Sequence, residues 1–398
     1  MDDIPKEAGS AAAPGPAAPF GVNYIGYTSA ALGLGVSARS GVKALVDSGI
    51  PVTLVEVNLG ERSWHDLRFQ HLYLRHPTTE LPHRCNIVHM NPLEAAPLRA
   101  QHPGWFAHSF NVIAPAWELD QPPADWLPLL DQYGLILARS HFLVSLFAGR
   151  CSAPVRYFPT GVAIEAHPDA ASVRTRLAIP QDAFVVYSNF DYDSSMSRKN
   201  PAGALRAYFA AFENDSRAHL ILKVAGGKGR PPGVEPLLSR ARAASNVTIV
   251  DQRLPYAEVL GLMDAADVYL SLHRGEGLGL GTLEAMSLGK PAVVTGWSGV
   301  MDFVDESNAV PVRFVRTPVV DVHPEYRPMR TAVEAMWAEP DVGHAARMLR
   351  LLSRDAAWRN RLGERARETA AERNRRFFSG EPFRMLQGAF DMWHRACG

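Results

Sequence analysis

Short apolar runs alternate with amphipathic stretches along most of this chain. VNYIGY (22–27), PVTLVEV (51–57), CNIVHM (85–90), NVIAPAW (111–117), YGLILAR (133–139) and VRYFPTG (155–161) are short and nearly continuous in apolar character, so they read as buried strands. VSARSGVKALVDSG (36–49), between the first two, has helical spacing. A charged stretch with breakers, EAHPDAASVRTRLAIPQDA (165–183), interrupts the pattern. It resumes with FVVYSNF (184–190), HLILKVAG (219–226), NVTIVDQ (246–252), DVYLSLH (267–273) and PAVVTGW (291–297) as strands. PAGALRAYFAAFEN (201–214) and YAEVLGLMDAA (256–266) are the helices between them. This alternation predicts βαβ units, mostly parallel sheets and two consecutive doubly wound α/β domains. The first is set at 20–170 and the second at 171–375. The Ala/Pro-rich run at 11–19 marks residues 1–19 as a disordered tail. The segment 341–397 reads as helical, and 376–398 is expected to form a C-terminal helix that returns to the first domain.

Composition narrows the function classes. Of 398 residues, 41 are basic and 41 acidic, so no overall field gathers a polyanion, which argues against nucleic acid as a partner. Cys85, Cys151 and Cys397 are odd in number and lack CxxC spacing, which fits a reducing compartment and neither a disulfide scaffold nor a cysteine-rich zinc site. The acidic start, MDDIPKEAGS, has no basic region followed by an apolar one, and no run approaches the ~20 apolar residues that cross a bilayer. A cytoplasmic protein is expected. The segment 345–376 has ten arginines against four acids, and reads as a solvated amphipathic helix or as a peripheral contact with anionic lipid at the inner membrane face. Fourteen histidines show no HExxH or similar spacing, so no metal site is expected.

The chemistry concentrates in HRGEGLGLGTLEAMSLGKPAVV (273–294). In doubly wound sheets, ligands bind at the carboxyl ends of strands, where helix N-termini offer free N–H groups. Here a strand ends at His273, a loop with Gly275, Gly277, Gly279 and Gly281 follows, and TLEAMSLG (282–289) opens a helix. Such glycines let the backbone approach a ligand closely. Glu276 lies in the loop and Glu284 in the first helical turn. Glu284 alone could complement the helix dipole, and the glycines alone could be a loose turn. A sugar nucleotide accounts for both acids, one accepting from hexose hydroxyls and the other from ribose hydroxyls. A hydrolytic pair fits less well. If helical, the eight-residue step spans roughly 12 Å, against ~5 to 9.5 Å between glycosidase carboxylates.

The run EGLGLGTLEAMSLGKPAVVT resembles the signature of retaining glycosyltransferases of the GT-B fold, specifically glycosyltransferase family 4, and the trailing GWSGVMDFV (296–304) is similar to its bacterial polysaccharide-building branch. The resemblance covers residue 20 to the end and is most specific over 184–304. It implies two Rossmann-like domains facing across a cleft and a metal-independent hexosyl transfer from a nucleoside diphosphate sugar to a glycan or lipid-linked saccharide, with no cofactor. GDP-mannose is the donor that this branch suggests. Carried over, Glu276 with Gly277, Leu278, Gly279 and Leu280 would grip the hexose, and Glu284 the ribose.

Other candidates lie elsewhere. SRKNPAG (197–203) places Arg198 and Lys199 before Pro201, beside a helix start suited to a pyrophosphate, although surface charge there is the plainer reading. The resemblance makes Lys199 the phosphate-binding lysine. Many relatives carry Gly-Arg at the end of the preceding strand, where this chain has Asn189-Phe190-Asp191, and Arg198 would substitute. LGLGVSAR (32–39) holds Gly33 and Gly35, which in relatives face the donor phosphates. With Glu56, 21 residues after Gly35, the same loop nearly meets an NAD-binding fingerprint, so an NAD-dependent oxidoreductase is the rival class. Against it, Gly33 lies six positions after Tyr27, away from the strand end, and Glu56 is assigned to structure. A binding protein that keeps the cleft without turnover is a third class. His89, His108 and His273 lie near strand ends, and the resemblance favours His89 as a histidine near the sugar. Trp117-Glu118 reads as an acceptor contact or as interdomain packing.

Overall fold

Six parallel strands build the first sheet: β1 (Val22–Gly26), β2 (Val52–Glu56), β3 (Cys85–His89), β4 (Phe110–Ile113), β5 (Leu135–Ala138) and β6 (Val155–Tyr157), in the order β2-β1-β3-β4-β5-β6. The second sheet contains β7 (Phe184–Asp191), β8 (Ala218–Ala225), β9 (Val247–Asp251), β10 (Val268–Ser271), β11 (Ala292–Thr295) and β12 (Val310–Val312), in the order β12-β11-β10-β7-β8-β9. These come from a computed structural model that describes residues 20–30, 33–57, 67–73, 80–213, 215–225, 233–320, 326 and 335–397. The expected tail at 1–19 lies outside the described residues.

Central strands such as β1 and β3 are buried along their whole length because helices cover both faces, and this is why they are continuously apolar in sequence. The periodicity did not reveal β12, nor the antiparallel pair β13 (Phe314–Pro318) and β14 (Met336–Pro340). Three residues are too few for a period, and β13 is largely solvent-facing.

Strand order reverses between β1 and β3 in the first sheet and between β7 and β10 in the second. At such a reversal neighbouring connections leave in opposite directions and open a crevice at the carboxyl ends. The Gly33–Asp47 helix follows β1, the Met196–Lys199 turn follows β7, and the 275–280 loop follows β10. Every sequence feature read as donor-binding therefore descends from a switch point.

The two domains touch through polar contacts. Ser140 caps the His141–Phe147 helix and also donates through Oγ to the Gly277 carbonyl at 2.6 Å. Buried Asp302 accepts from the His141 N–H at 2.7 Å, from the Tyr157 hydroxyl at 2.6 Å and from Arg373 at 3.3 Å. The Ala356–Phe378 helix packs Ala366 and Ala370 against Leu283 and Met286 of the second domain. Its last residues, with Phe383, Leu386 and Phe390 of the Glu381–Cys397 helix, enter the core of the first domain around Val22, Val42 and Phe110. No described helix is long and apolar enough to cross a membrane.

Candidate active site

Leu272, at the end of β10, fixes the site through Asn200, whose left-handed backbone turns the chain from Met196–Lys199 into the Pro201–Phe212 helix. The Asn200 side chain accepts from the Gly203 N–H at 3.0 Å and donates to the Leu272 carbonyl at 2.8 Å. Arg198 is bound to the same strand end through its carbonyl, which accepts from the Arg274 N–H at 2.7 Å. Two cations are thus delivered to the loop that carries Glu276.

Lys199 Nζ donates to Glu276 Oε1 at 2.5 Å, and Arg198 Nη1 stands 3.3 Å from that same oxygen. Among the described residues Oε2 takes no hydrogen bond, so one carboxylate oxygen is clamped and the other is open. Burial would raise this carboxyl, but Lys199, then Arg198 and His273, outweigh it and hold Glu276 at about 2. It is ionised at any physiological pH. Beside it, His273 is fully buried, and neither ring nitrogen has a hydrogen-bond partner among the described residues. Burial lowers it to about 4 despite the pull of Glu276, with Lys199 and Arg198 opposing a further charge, so the ring is neutral.

The loop after Glu276 is braced from two sides. Ser298, one of three non-glycine residues with positive φ among the described residues, accepts from the Glu276 N–H at 2.9 Å, and the Gly299 N–H donates to the Glu276 carbonyl at 2.8 Å. A β-carbon on Gly277 would lie 2.7 Å from the Trp117 carbonyl of the first domain. Gly279 caps the Leu280–Ser287 helix with φ +87°, and a β-carbon there would collide with Val300. Gly279→Ala should therefore lower unfolding free energy by about 2–4 kcal/mol in denaturant titration. An unchanged midpoint would mean the loop has a different path. Leu278 is buried in the core of the second domain, and Leu280 packs beside it.

Glu284 is buried one turn into that helix and accepts from the Tyr256 hydroxyl at 2.8 Å. Burial, only partly offset by Tyr256 and by Arg39 of the first domain, raises its carboxyl from the ordinary 4.5 to about 7. Arg39 belongs to the Gly33–Asp47 helix and donates to the Thr28 and Ala30 carbonyls at 3.1 and 2.9 Å. Gly33, at the start of this helix, faces Leu280 across the cleft, with 3.7 Å from a hypothetical β-carbon to Leu280 Cδ1. Gly35 is pressed onto the Ala30 carbonyl, which leaves no room for a side chain.

Other candidates have different surroundings. His89 ends β3, but Nδ1 bonds the Tyr24 hydroxyl at 2.6 Å and Nε2 the Ser37 hydroxyl at 3.0 Å. Arg139 Nη1 lies 3.3 Å from Nε2. Burial, then the Arg139 charge, keeps the ring neutral. All these bonds lie within the first domain, so His89 supports the glycine-loop helix, in contrast to the expected place beside the sugar. His108 is exposed at the amino end of β4, on the edge away from the strand-end crevice. Trp117 is buried against Trp126 and Tyr326 and donates to the Gln121 carbonyl at 2.7 Å, which is the interdomain-packing alternative. Glu56 accepts from the Ser29 hydroxyl at 2.6 Å and also from Thr28 and the Ser29 N–H, so the acid that a dinucleotide ribose requires is engaged within its own domain. Asn189, at the strand end where relatives have Gly-Arg, accepts from the Tyr269 hydroxyl at 3.1 Å. The described residues hold no group of three or more potential metal ligands.

Sequence reasoning did not find Tyr256, which bonds Glu284, or Arg39, whose charge acts on it. A tyrosine at the start of one helix and an arginine in the second turn of another carry no local pattern, since their meeting depends on cleft geometry.

Residues 192–317 match a family model described as glycosyl transferases group 1, and this segment contains Arg198, Lys199, Glu276 and Glu284. No curated protein sequence matches the chain. Among solved structures, HepE from Anabaena in complex with UDP-glucose superposes with TM-score 0.67 at 14% identity, covering 92% of this chain and 99% of that one. HepE with UDP and glucose gives 0.64 at 15%, covering 93% and 100%. Sucrose-phosphate synthase from Thermosynechococcus elongatus gives 0.64 at 16%, covering 95% and 100%. At these identities the likeness is one of fold: two Rossmann-like domains facing across a cleft, the GT-B arrangement.

Proposed function

We propose that this chain, of GT-B fold and with residues 192–317 matching group 1 glycosyl transferases, is a glycosyltransferase that moves a hexosyl group from a nucleoside diphosphate sugar to a hydroxyl of a glycan or lipid-linked saccharide, with retained anomeric configuration. The observation that carries the reading is the asymmetry of Glu276, whose Oε1 is clamped by Lys199 and Arg198 while Oε2 is open. An ionised carboxylate with one oxygen fixed and one unpaired is a rigid acceptor for sugar hydroxyls. The Lys199 ammonium, more exposed than Arg198, is the cation that can turn to the diphosphate as the sugar C1–O bond breaks and the electron pair departs with phosphate. The N–H groups that open the Leu280–Ser287 helix add positive potential. Glu284 receives the ribose hydroxyls, and Gly33 with Gly35 brings backbone close on the facing side. His89 and Arg139 support the glycine-loop helix. These donor interactions need no metal ligand set from the protein.

The HepE structures contain UDP with glucose or as UDP-glucose, which supports uridine donors as the first to test, ahead of GDP-mannose. Nucleotide release from UDP-, GDP- and ADP-sugars, with the anomeric proton coupling of the product read by NMR, tests the proposal. Release from none of them, alongside thermal stabilisation by NAD, would replace it with the oxidoreductase reading.

The raised carboxyl of Glu284 makes a separate prediction. The folded protein keeps this proton up to about 7, whereas an ordinary carboxyl loses it near 4.5, so stability falls as pH rises between those values. Glu284→Gln should therefore be more stable than the parent at pH 8, by up to about 3 kcal/mol, and equal to it at pH 4. Ribose hydroxyls need the ionised acceptor, so nucleotide affinity of the parent should weaken by up to about tenfold per pH unit below 7. The variant should bind weakly at every pH. Calorimetric titration from pH 5.5 to 8.5 reads both effects, and a pH-independent Kd in the parent would remove Glu284 from the ribose.

A further inference from the structure

Arg198 is shared between carboxylates of the two domains. Its Nη1 stands 3.3 Å from Glu276 Oε1, and its Nη2 stands 3.5 Å from Glu118 Oε1. Nη1 also donates to the Gly275 carbonyl at 3.0 Å. Tyr326, of the second domain, donates through its hydroxyl to Glu118 Oε2 at 2.6 Å, a further contact across the cleft that ends when the domains part. The backbone is in contact as well, since the Glu118 carbonyl fills the space that a side chain at Gly275 would need. The Arg198 side chain is 7% exposed, so its two carboxylate partners compete for it in a place nearly closed to water.

A guanidinium beside a single buried carboxylate settles into a two-pronged pair, with both η nitrogens on both oxygens. Here the fork is split instead, one prong to each domain, and the consequence is the open Oε2 of Glu276. We propose that Glu118 is a positioning residue: by drawing Nη2 of Arg198 across the closed cleft, it keeps Glu276 Oε2 free for the hydroxyls of the transferred sugar. When the cleft opens, Glu118 withdraws with its domain, Arg198 closes on both oxygens of Glu276, and the sugar site is covered. The sugar is then gripped only while water is shut out, which limits donor hydrolysis. This inference rests on the transferase reading above and adds to it the coupling between closure and sugar binding.

The test uses the full chain with the nucleotide sugar that the parent turns over. Glu118→Gln keeps the side-chain shape and removes the charge that attracts Nη2. It should lower kcat/KM for the donor about tenfold or more, with the Kd for the free nucleoside diphosphate within about twofold of the parent. Removing the fork should reverse the loss: in the Glu118→Gln background, Arg198→Lys cannot chelate Glu276 with two prongs, and should recover at least about threefold of kcat/KM. Glu118→Asp should retain an intermediate rate. A packing role would instead make the double variant worse than either single one and weaken nucleotide binding in step with thermal stability. Parent-like transfer by Glu118→Gln, or a double variant below Glu118→Gln, overturns the inference. A parent protein that transfers no sugar from any donor overturns the functional reading itself, so the two failures are distinct.

Discussion

Glu276→Gln is expected to lower kcat for sugar transfer by roughly a thousandfold while leaving nucleoside diphosphate affinity within about threefold of the parent. The amide keeps the size of the carboxylate, so a loss of this size would be electrostatic. In the parent, two cations hold an ionised carboxylate whose free oxygen, in the proposed reading, would accept from the sugar, and the carboxyl stays at about 2 because Lys199 and Arg198 outweigh burial. The neutral amide releases Lys199 and leaves Arg198 to Glu118 alone. The sugar then loses its charged acceptor, and the bond that breaks next to it loses its alignment. In the proposed reading nucleotide binding falls to Glu284, a separate group in the following helix. Transfer at the parent rate, or equal loss of transfer and of nucleotide binding, would remove Glu276 from the sugar.

Lys199→Ala carries the second large effect, a fall in kcat of roughly 10²- to 10⁴-fold. The ammonium is the most accessible cation in contact with Glu276, its side chain 26% exposed against 7% for Arg198. Negative charge accumulates on the departing diphosphate, and a cation that moves onto it acts in the transition state more than in the bound donor. The loss should therefore shrink with a donor whose leaving group carries less charge, such as a glycosyl fluoride, and Lys199→Arg should recover part of the rate. A loss that is the same for both kinds of donor would indicate that Lys199 only holds Glu276. The combined Glu276→Gln and Lys199→Ala variant should lose less than the sum of the single losses, because the two side chains form one ion pair.

Much of the candidate site is a local pattern in the sequence. Glu276, Glu284 and the glycines between them occupy one strand–loop–helix unit, so sequence neighbours are spatial neighbours and a linear pattern captures them. Arg198 and Lys199 were legible as a basic pair before a helix. Their meeting with Glu276 was not, because it needs β7 and β10 to lie side by side. His89 shows where strand-end reasoning fails: position at the carboxyl end of β3 gives reach, but Tyr24, Ser37 and Arg139 take up its ring. Trp117-Glu118 shows the reverse, since in a pair suited to an acceptor surface Trp117 is buried and Glu118 is partly covered by contacts with the second domain.

The sequence by itself determined the central strands and helices and their class, though not the short or solvent-facing strands β12 to β14. Continuous apolar runs can be satisfied only between two helical layers, and their alternation with amphipathic helices leaves few architectures besides two parallel-sheet domains. It also determined where backbone could approach a ligand, because glycine spacing and helix starts are local properties. Only the tertiary structure decided which charges are paired. A carboxylate at about 2 and another at about 7, eight residues apart, differ because one meets two cations from a neighbouring strand connection and the other meets a tyrosine and a more distant arginine. Electrostatic energy depends on distance and burial, and both are set by the packing of segments remote in the chain.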